Sequence, residues 1–145
     1  MKYLLVFIIA AAAWACEDID KTKNAAHGQA NALDDSQLTT IQWIDSVRNY
    51  GKITEGQVLD VSFRFKNTGD KPLIIRSVRP SCGCTAAEPP KEPIAPGAEG
   101  TIKASFNSQG REGLNKKDLY VDANTKGTQN HVVHFDVEVV KEAKQ

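Results

Sequence analysis

The stretch VLDVSFRFKNTGDKP, residues 58–72, decides the fold class of this chain. Its first part alternates apolar and polar side chains: Leu59, Val61, Phe63 and Phe65 against Asp60, Ser62, Arg64 and Lys66. A repeat of two residues is typical of a β-strand that buries one face. Its second part, NTGDKP, consists of residues that favour tight turns. The stretch therefore predicts a half-buried strand that ends in a turn.

Similar patterns recur on both sides of this strand. Residues 101–106, 119–123 and 133–139 also alternate, residues 73–78 form an apolar run, and residues 41–53 add one strand or a pair. Short strands at this spacing, with no helical periodicity between them, indicate two packed sheets. The sequence therefore predicts an all-β, immunoglobulin-like β-sandwich of about seven strands, without the disulfide typical of antibody domains.

Residues 1–15 have the pattern of a secretory signal peptide. Lys2 supplies a positive charge, residues 4–13 are apolar, and Ala13-Trp14-Ala15 has the small-x-small pattern of a cleavage site. The apolar run is too short for a transmembrane helix, which needs about 20 residues. The sequence therefore predicts export of the protein and removal of residues 1–15.

Cys16 directly follows the predicted cleavage site. This arrangement resembles the lipobox of bacterial lipoproteins, in which the corresponding cysteine carries lipid such as palmitate. The chain has three cysteines, and an odd cysteine in an oxidising compartment calls for a special role. Lipidation would supply that role and anchor the protein to the membrane. An ordinary secreted protein is the alternative, because Ala-x-Ala is also a general cleavage pattern.

Residues 16–39 are predicted to be a lipid-anchored N-terminus and disordered linker. They are polar and lack a wide apolar stripe, so they cannot bury enough surface to offset the entropy of ordering. As a flexible coil of about 22 residues, the linker would hold the domain on the order of 25 Å from the membrane. The sandwich domain is then assigned to residues 40–145.

The charge of the chain excludes one class of partner. The sequence has 18 basic and 18 acidic side chains, and removal of residues 1–15 deletes only Lys2 among them. The mature protein is therefore close to neutral. A neutral domain lacks the basic surface that binds nucleic acid, so no nucleic-acid partner is expected.

Cys82 and Cys84 lie one residue apart in the segment SCGCT. A disulfide needs Cα atoms about 4.4–6.8 Å apart, and Gly83 is expected to adopt backbone angles that bring its neighbours together. So small a ring adds little stability. Three interpretations stay open: a redox-active pair, two small residues filling a tight corner, or a Cu(I) site. The copper site would need a third ligand, for which His131 and His134 are the candidates in the domain.

The sequence gives no support for an enzyme. No serine lies in a nucleophile-elbow frame, and the glycines form neither a phosphate loop nor a dinucleotide fingerprint. His134, Asp136 and Glu138 occupy the phase of the last strand that is predicted to face solvent. We therefore expect no catalytic residue and no cofactor.

Five segments occur in an order that resembles domain-of-unknown-function family 1573: NYGKITEGQ, FKNTGDKPLII, SCGCTAAEPP, IAPGAEGTIKASF and YVDANT. The resemblance covers residues 41–140. It implies an exported bacterial immunoglobulin-like domain, related to the Hydin-type (ASH) domains and carrying a Cys-Gly-Cys-Thr motif. It also implies a lipoprotein of Bacteroidetes-like bacteria, where acidic residues such as Glu17-Asp18 after the lipidated cysteine resemble a surface-export signal.

Together these features predict a binding or structural module of the cell envelope. The lipid on Cys16 would hold it in the outer membrane, facing the periplasm or the cell surface, and its partner would be a protein or another envelope component. The alternative is a thiol-based site at Cys82 and Cys84 that acts in redox partnering or Cu(I) binding.

Overall fold

A computed structural model describes residues 37–141 of the chain. The predicted signal peptide, Cys16 and all but residues 37–39 of the predicted linker lie outside the described residues. Within residues 37–141, no helix is both long and apolar enough to cross a membrane.

Residues 37–141 contain eight β-strands, with the following bounds. They are β1 Ile41–Trp43, β2 Val47–Thr54, β3 Val58–Asn67, β4 Ile75–Pro80, β5 Thr85–Glu88, β6 Glu99–Asn107, β7 Gly113–Ala123 and β8 Asn130–Val140. One sheet has the order β1-β3-β6-β5 and the other the order β2-β8-β7-β4. The predicted all-β sandwich is therefore confirmed.

The core lies between the two sheets and follows the alternation seen in the sequence. Phe63, Phe65, Phe106 and Phe135 are fully buried. The rings of Phe106 and Phe135 join the sheets in an edge-to-face contact, with centroids 5.9 Å apart. Strand β5 was not among the predicted segments. Its four residues, TAAE, are too short and too small to display a clear alternation of apolar and polar side chains.

The N-terminal part of the domain contributes to both sheets. Strand β1 pairs antiparallel with β3, whereas β2 pairs parallel with β8. The chain changes sheets at Asp45, whose carboxylate accepts a hydrogen bond of 2.7 Å from Nε of Arg64. That hydrogen bond is the main cause that lowers the pKa of Asp45 below its usual value. This pair therefore links the segment between the two sheets to β3.

Two buried asparagines close one end of the sandwich. Asn67 Nδ2 donates to the carbonyls of Lys71 and Ile94 at 2.7 and 2.9 Å. Asn124 Nδ2 donates to the carbonyls of Gln37 and Pro72 at 2.8 and 3.0 Å. Each amide thus ties together segments that are distant in sequence, which satisfies backbone groups that would be costly to bury unpaired.

Thr39 lies between these asparagines, although the sequence placed it in the linker. Its side chain is fully buried, and its hydroxyl donates to Asn67 Oδ1 at 2.9 Å. Its backbone N–H donates to the carbonyl of Asn124 at 3.0 Å. We call Thr39, Asn67 and Asn124 the asparagine clamp. The clamp holds the point at which the N-terminal segment enters the domain.

Candidate functional site

The segment that carries Cys82 and Cys84 connects β4 of one sheet to β5 of the other. At its start, Ser81 exchanges two hydrogen bonds with Asp118 of β7: its N–H donates to the Asp118 carbonyl at 2.9 Å, and its Oγ accepts from the Asp118 N–H at 3.1 Å. At its end, the carbonyl of Cys84 accepts from the N–H of Asn107 at 2.9 Å. The loop is therefore fastened to both sheets.

Cys82 and Cys84 are joined in a disulfide, with Cα atoms 5.4 Å apart. Both cysteines are half-buried, and Cys84 packs against the hydrophobic core. The backbone at Gly83 brings the two Cα atoms closer than an extended strand would, but it does so without a positive φ. Gly83 is absent from the glycines with positive φ, and a β-carbon added to it would meet no atom within 4 Å beyond its neighbours Cys82 and Cys84. The ring therefore closes without the left-handed backbone conformation that favours glycine.

Thr85 follows the disulfide and is the residue that ties the motif to the interior. Its side chain is only 6% exposed. Its hydroxyl lies 3.8 Å from Sγ of Cys82 and 4.0 Å from Sγ of Cys84. A disulfide sulfur carries no hydrogen, so the single proton of the hydroxyl is the donor and can point to either sulfur. The sequence singled out the motif Cys-Gly-Cys-Thr but assigned no role to its threonine.

Lys117 brings a positive charge to the same part of the sandwich. Strand β4 ends at Pro80, which pairs with Leu119, so no β4 residue lies beside Lys117. The ammonium of Lys117 lies 5.9 Å from the ring centroid of Phe106, and Phe106 is the register partner of Thr85. The charge therefore lies near β6, the strand whose Asn107 donates to the Cys84 carbonyl.

His131 lies near the end of the sandwich that is opposite the cysteine loop. Its Nε2 is 2.8 Å from the Thr125 hydroxyl, and its ring packs against Trp43 with centroids 6.0 Å apart. Burial lowers the pKa of His131 below its usual value. Residues 37–141 contain no group of three or more His, Cys, Asp or Glu that could hold a metal ion. The described structure thus does not bring His131 to Cys82 and Cys84 as a third ligand.

The outer face of β8 carries the polar residues that the sequence assigned to solvent. His134 is exposed, Asp136 and Glu138 are partly exposed, and Glu138 forms an exposed ion pair of 3.6 Å with Lys52. The same face also has apolar members. Tyr120 of β7 and Val132 of β8 are register partners and are 45% and 49% exposed. They form a small apolar pair on the outer surface of this sheet.

The comparisons with known proteins place the chain in a family. A family model described as "Protein of unknown function (DUF1573)" matches residues 41–139, which is more than half of the chain. The chain belongs to this family. No curated protein matches the sequence.

Solved structures share the fold. A protein of unknown function from Porphyromonas gingivalis superimposes with a TM-score of 0.64 at 18% identity, over 76% of this chain and 51% of that one. The secreted serine protease VesC from Vibrio cholerae gives 0.55 at 17% identity, over 76% of this chain but only 25% of the protease. The ASH/PapD-like domain 7 of human CEP192 gives 0.50 at 8% identity, over 84% of this chain and 99% of that domain. The chain thus spans about half of the first of these proteins, and identities this low show the fold alone.

Proposed function

We propose that the protein is a membrane-anchored, extracytoplasmic binding module rather than an enzyme. Lipid on Cys16 would hold it in the outer membrane, and the sandwich would present one end and one sheet face to a protein partner of the cell envelope. The two-sheet sandwich, which spans the residues matched by the family model, supports the modular role.

The observation that carries this proposal is that the asparagine clamp and the disulfide lie at opposite ends of the sandwich. The N-terminal segment enters at the asparagine clamp, beside the end of β3 at Asn67. The Cys84 carbonyl binds Asn107, which pairs with Val58 at the start of β3. A strand of this length extends about 30 Å. The disulfide therefore lies at the end of β3 far from the point at which an anchored N-terminal segment would join the domain, where a partner could reach it.

Membrane fractionation with lipid labelling tests the anchor. The wild-type protein is expected in the membrane fraction and labelled by a palmitate analogue, whereas Cys16→Ala is expected to be soluble and unlabelled. A wild-type protein that is already soluble and unlabelled would contradict the anchor.

Site-specific photo-cross-linking in intact cells tests the binding role. A cross-linker at Val132, on the outer face of the β2-β8-β7-β4 sheet, is expected to form a defined adduct with a protein partner. The matched control is the same cross-linker at Lys103, which is exposed on the outer face of the other sheet. The adduct should disappear when Tyr120 is replaced by Asp. Equal adducts at both positions would argue against a specific face.

A second candidate function is supported by the disulfide itself. A bond between residues two apart constrains the unfolded chain very little, so stability gives a weak reason to keep it. Partial exposure of both cysteines leaves the bond accessible to a thiol. We therefore propose thiol–disulfide exchange with a redox partner as the alternative role of the module.

Copper handling is the less supported form of this alternative. Two thiolates suit Cu(I) after reduction, but the described residues bring no third ligand to them. Titration of the reduced domain with Cu(I), with free thiols counted before and after, separates the two forms. Binding of one Cu(I) for each protein, with loss of both free thiols, would favour copper handling. If the number of free thiols is the same before and after addition of Cu(I), the exchange role is favoured over copper.

A further inference from the structure

We propose that Thr85 and Lys117 stabilise the thiolate that is released when a dithiol reduces the Cys82–Cys84 disulfide. This inference rests on the proposed thiol–disulfide exchange and names the residues that would make it favourable. The reductant is defined by its chemistry as a dithiol, in a protein or a small molecule.

The first support is the setting of the Thr85 hydroxyl. A buried hydroxyl needs a hydrogen-bond partner, and the acceptors within reach of this one are the two sulfur atoms, at 3.8 and 4.0 Å. Neutral sulfur is a weak acceptor, whereas hydrogen bonds to an ionised group are shorter and roughly twice as strong. The hydroxyl is therefore better satisfied beside a thiolate than beside the disulfide.

The second support is the charge on Lys117. A nearby ammonium favours the thiolate form of cysteine. Lys117 reaches Phe106, the register partner of Thr85, and the next residue in β7, Asp118, binds Ser81 at the start of the cysteine loop. The positive charge therefore lies beside Phe106, at the same end of the sandwich as the cysteine loop, and its attraction would add to the hydrogen bond from Thr85.

The position of the two sulfurs suggests the order of the exchange. Cys84 packs against the core, whereas Cys82 is not among the residues that do so. A thiolate of the dithiol attacks Sγ of Cys82, the bond between the cysteines breaks, and Cys84 leaves as a thiolate beside Thr85. The second thiolate of the dithiol then attacks its own sulfur in the mixed disulfide and releases Cys82. Two electrons pass from the dithiol to the protein, and the protons of the dithiol go to solvent or to the released thiolates.

The test measures the equilibrium between the full mature protein and dithiothreitol, with the reduced fraction read by alkylation and mass spectrometry. It is run at about pH 8.5, where an ordinary cysteine is half ionised. Thr85→Val is expected to lower the equilibrium constant for reduction about tenfold, the size of one hydrogen bond to an ion. Thr85→Ser should restore it. Lys117→Met keeps the stem over Phe106, removes only the charge, and should lower the constant about threefold.

Two matched controls separate a local effect from a general one. Thr101→Val and Lys103→Met change exposed residues of β6 and should leave the constant unchanged. Thermal melts establish which variants fold, and Lys117→Met keeps the proposal testable if Thr85→Val does not fold. If the Thr85 and Lys117 variants have the same equilibrium constant for reduction as the wild type, this inference is wrong, but the proposed thiol–disulfide exchange is not. A folded wild-type protein that dithiothreitol cannot reduce would overturn exchange itself, and with it this inference.

Discussion

Gly69 lies against Thr39 so closely that a β-carbon at Gly69 would overlap the Thr39 hydroxyl and lie 2.7 Å from the backbone nitrogen of Thr40. Asn67 Oδ1 accepts hydrogen bonds from both partners, from the Gly69 N–H at 3.1 Å and from the Thr39 hydroxyl at 2.9 Å. The glycine in NTG is therefore required by the approach of the N-terminal segment. Its φ is not in the left-handed region.

This contact predicts different outcomes for two glycines. Gly69→Ala is expected to lower the free energy of unfolding by about 1–3 kcal/mol, because the clamp must move to make room. Gly83→Ala is the matched control and should stay within about 0.5 kcal/mol, since its β-carbon would meet open space. Urea denaturation measures both. Equal losses would show that the close approach at Gly69 does not exist in solution.

Side chains on the inward face of the strands should contribute more to stability than side chains on the outward face. Phe63→Ala and Phe135→Ala remove fully buried rings and are each expected to cost about 3–5 kcal/mol. His134→Ala and Lys103→Ala change exposed side chains of β8 and β6 and should stay within about 0.5 kcal/mol. Thermal or chemical denaturation gives the comparison. Similar losses of stability for the inward and the outward variants would contradict the assignment of these side chains to the two faces.

Loss of the disulfide should hardly change the stability of the fold. The double variant Cys82→Ser/Cys84→Ser is expected to keep the free energy of unfolding within about 1 kcal/mol of the wild type, because a ring this small restricts the unfolded chain little. The wild-type protein after reduction provides the control and should melt like the variant. A large drop in the melting temperature would instead favour a packing role for the two cysteines.

The stability of the domain should depend on the protonation of His131. Burial lowers the pKa of His131 from 6.5, so below about pH 6.5 the unfolded chain binds more protons than the folded one. Linkage then requires the free energy of unfolding to fall as the pH drops from 6.5 through the lower, folded-state pKa. His131→Gln should flatten this part of the stability curve.

His134→Ala is the control for that measurement, because it removes an exposed ring from the same strand. Denaturation of the three proteins at several pH values gives the curves. A wild-type slope that persists unchanged in His131→Gln would assign the pH dependence to other groups.

The sequence was sufficient for the elements whose signal is local. Alternation along β3, β6, β7 and β8 predicted which side chains are buried, Phe63 and Phe135 among them. This prediction was possible because successive side chains of a strand face opposite sides, so consecutive residues alone reveal which face is buried. The family motifs likewise predicted the immunoglobulin-like fold, and the family model confirms the membership.

Only the tertiary structure decided which distant residues meet. It pairs β2 in parallel with β8, separates His131 from the cysteines, and brings Lys117 over Phe106. It also shows that Gly69 is crowded and Gly83 is not, although both are glycines in loop motifs. These relationships arise when two sheets close on each other, because contacts between remote segments depend on register and packing rather than on the residues beside them in the chain.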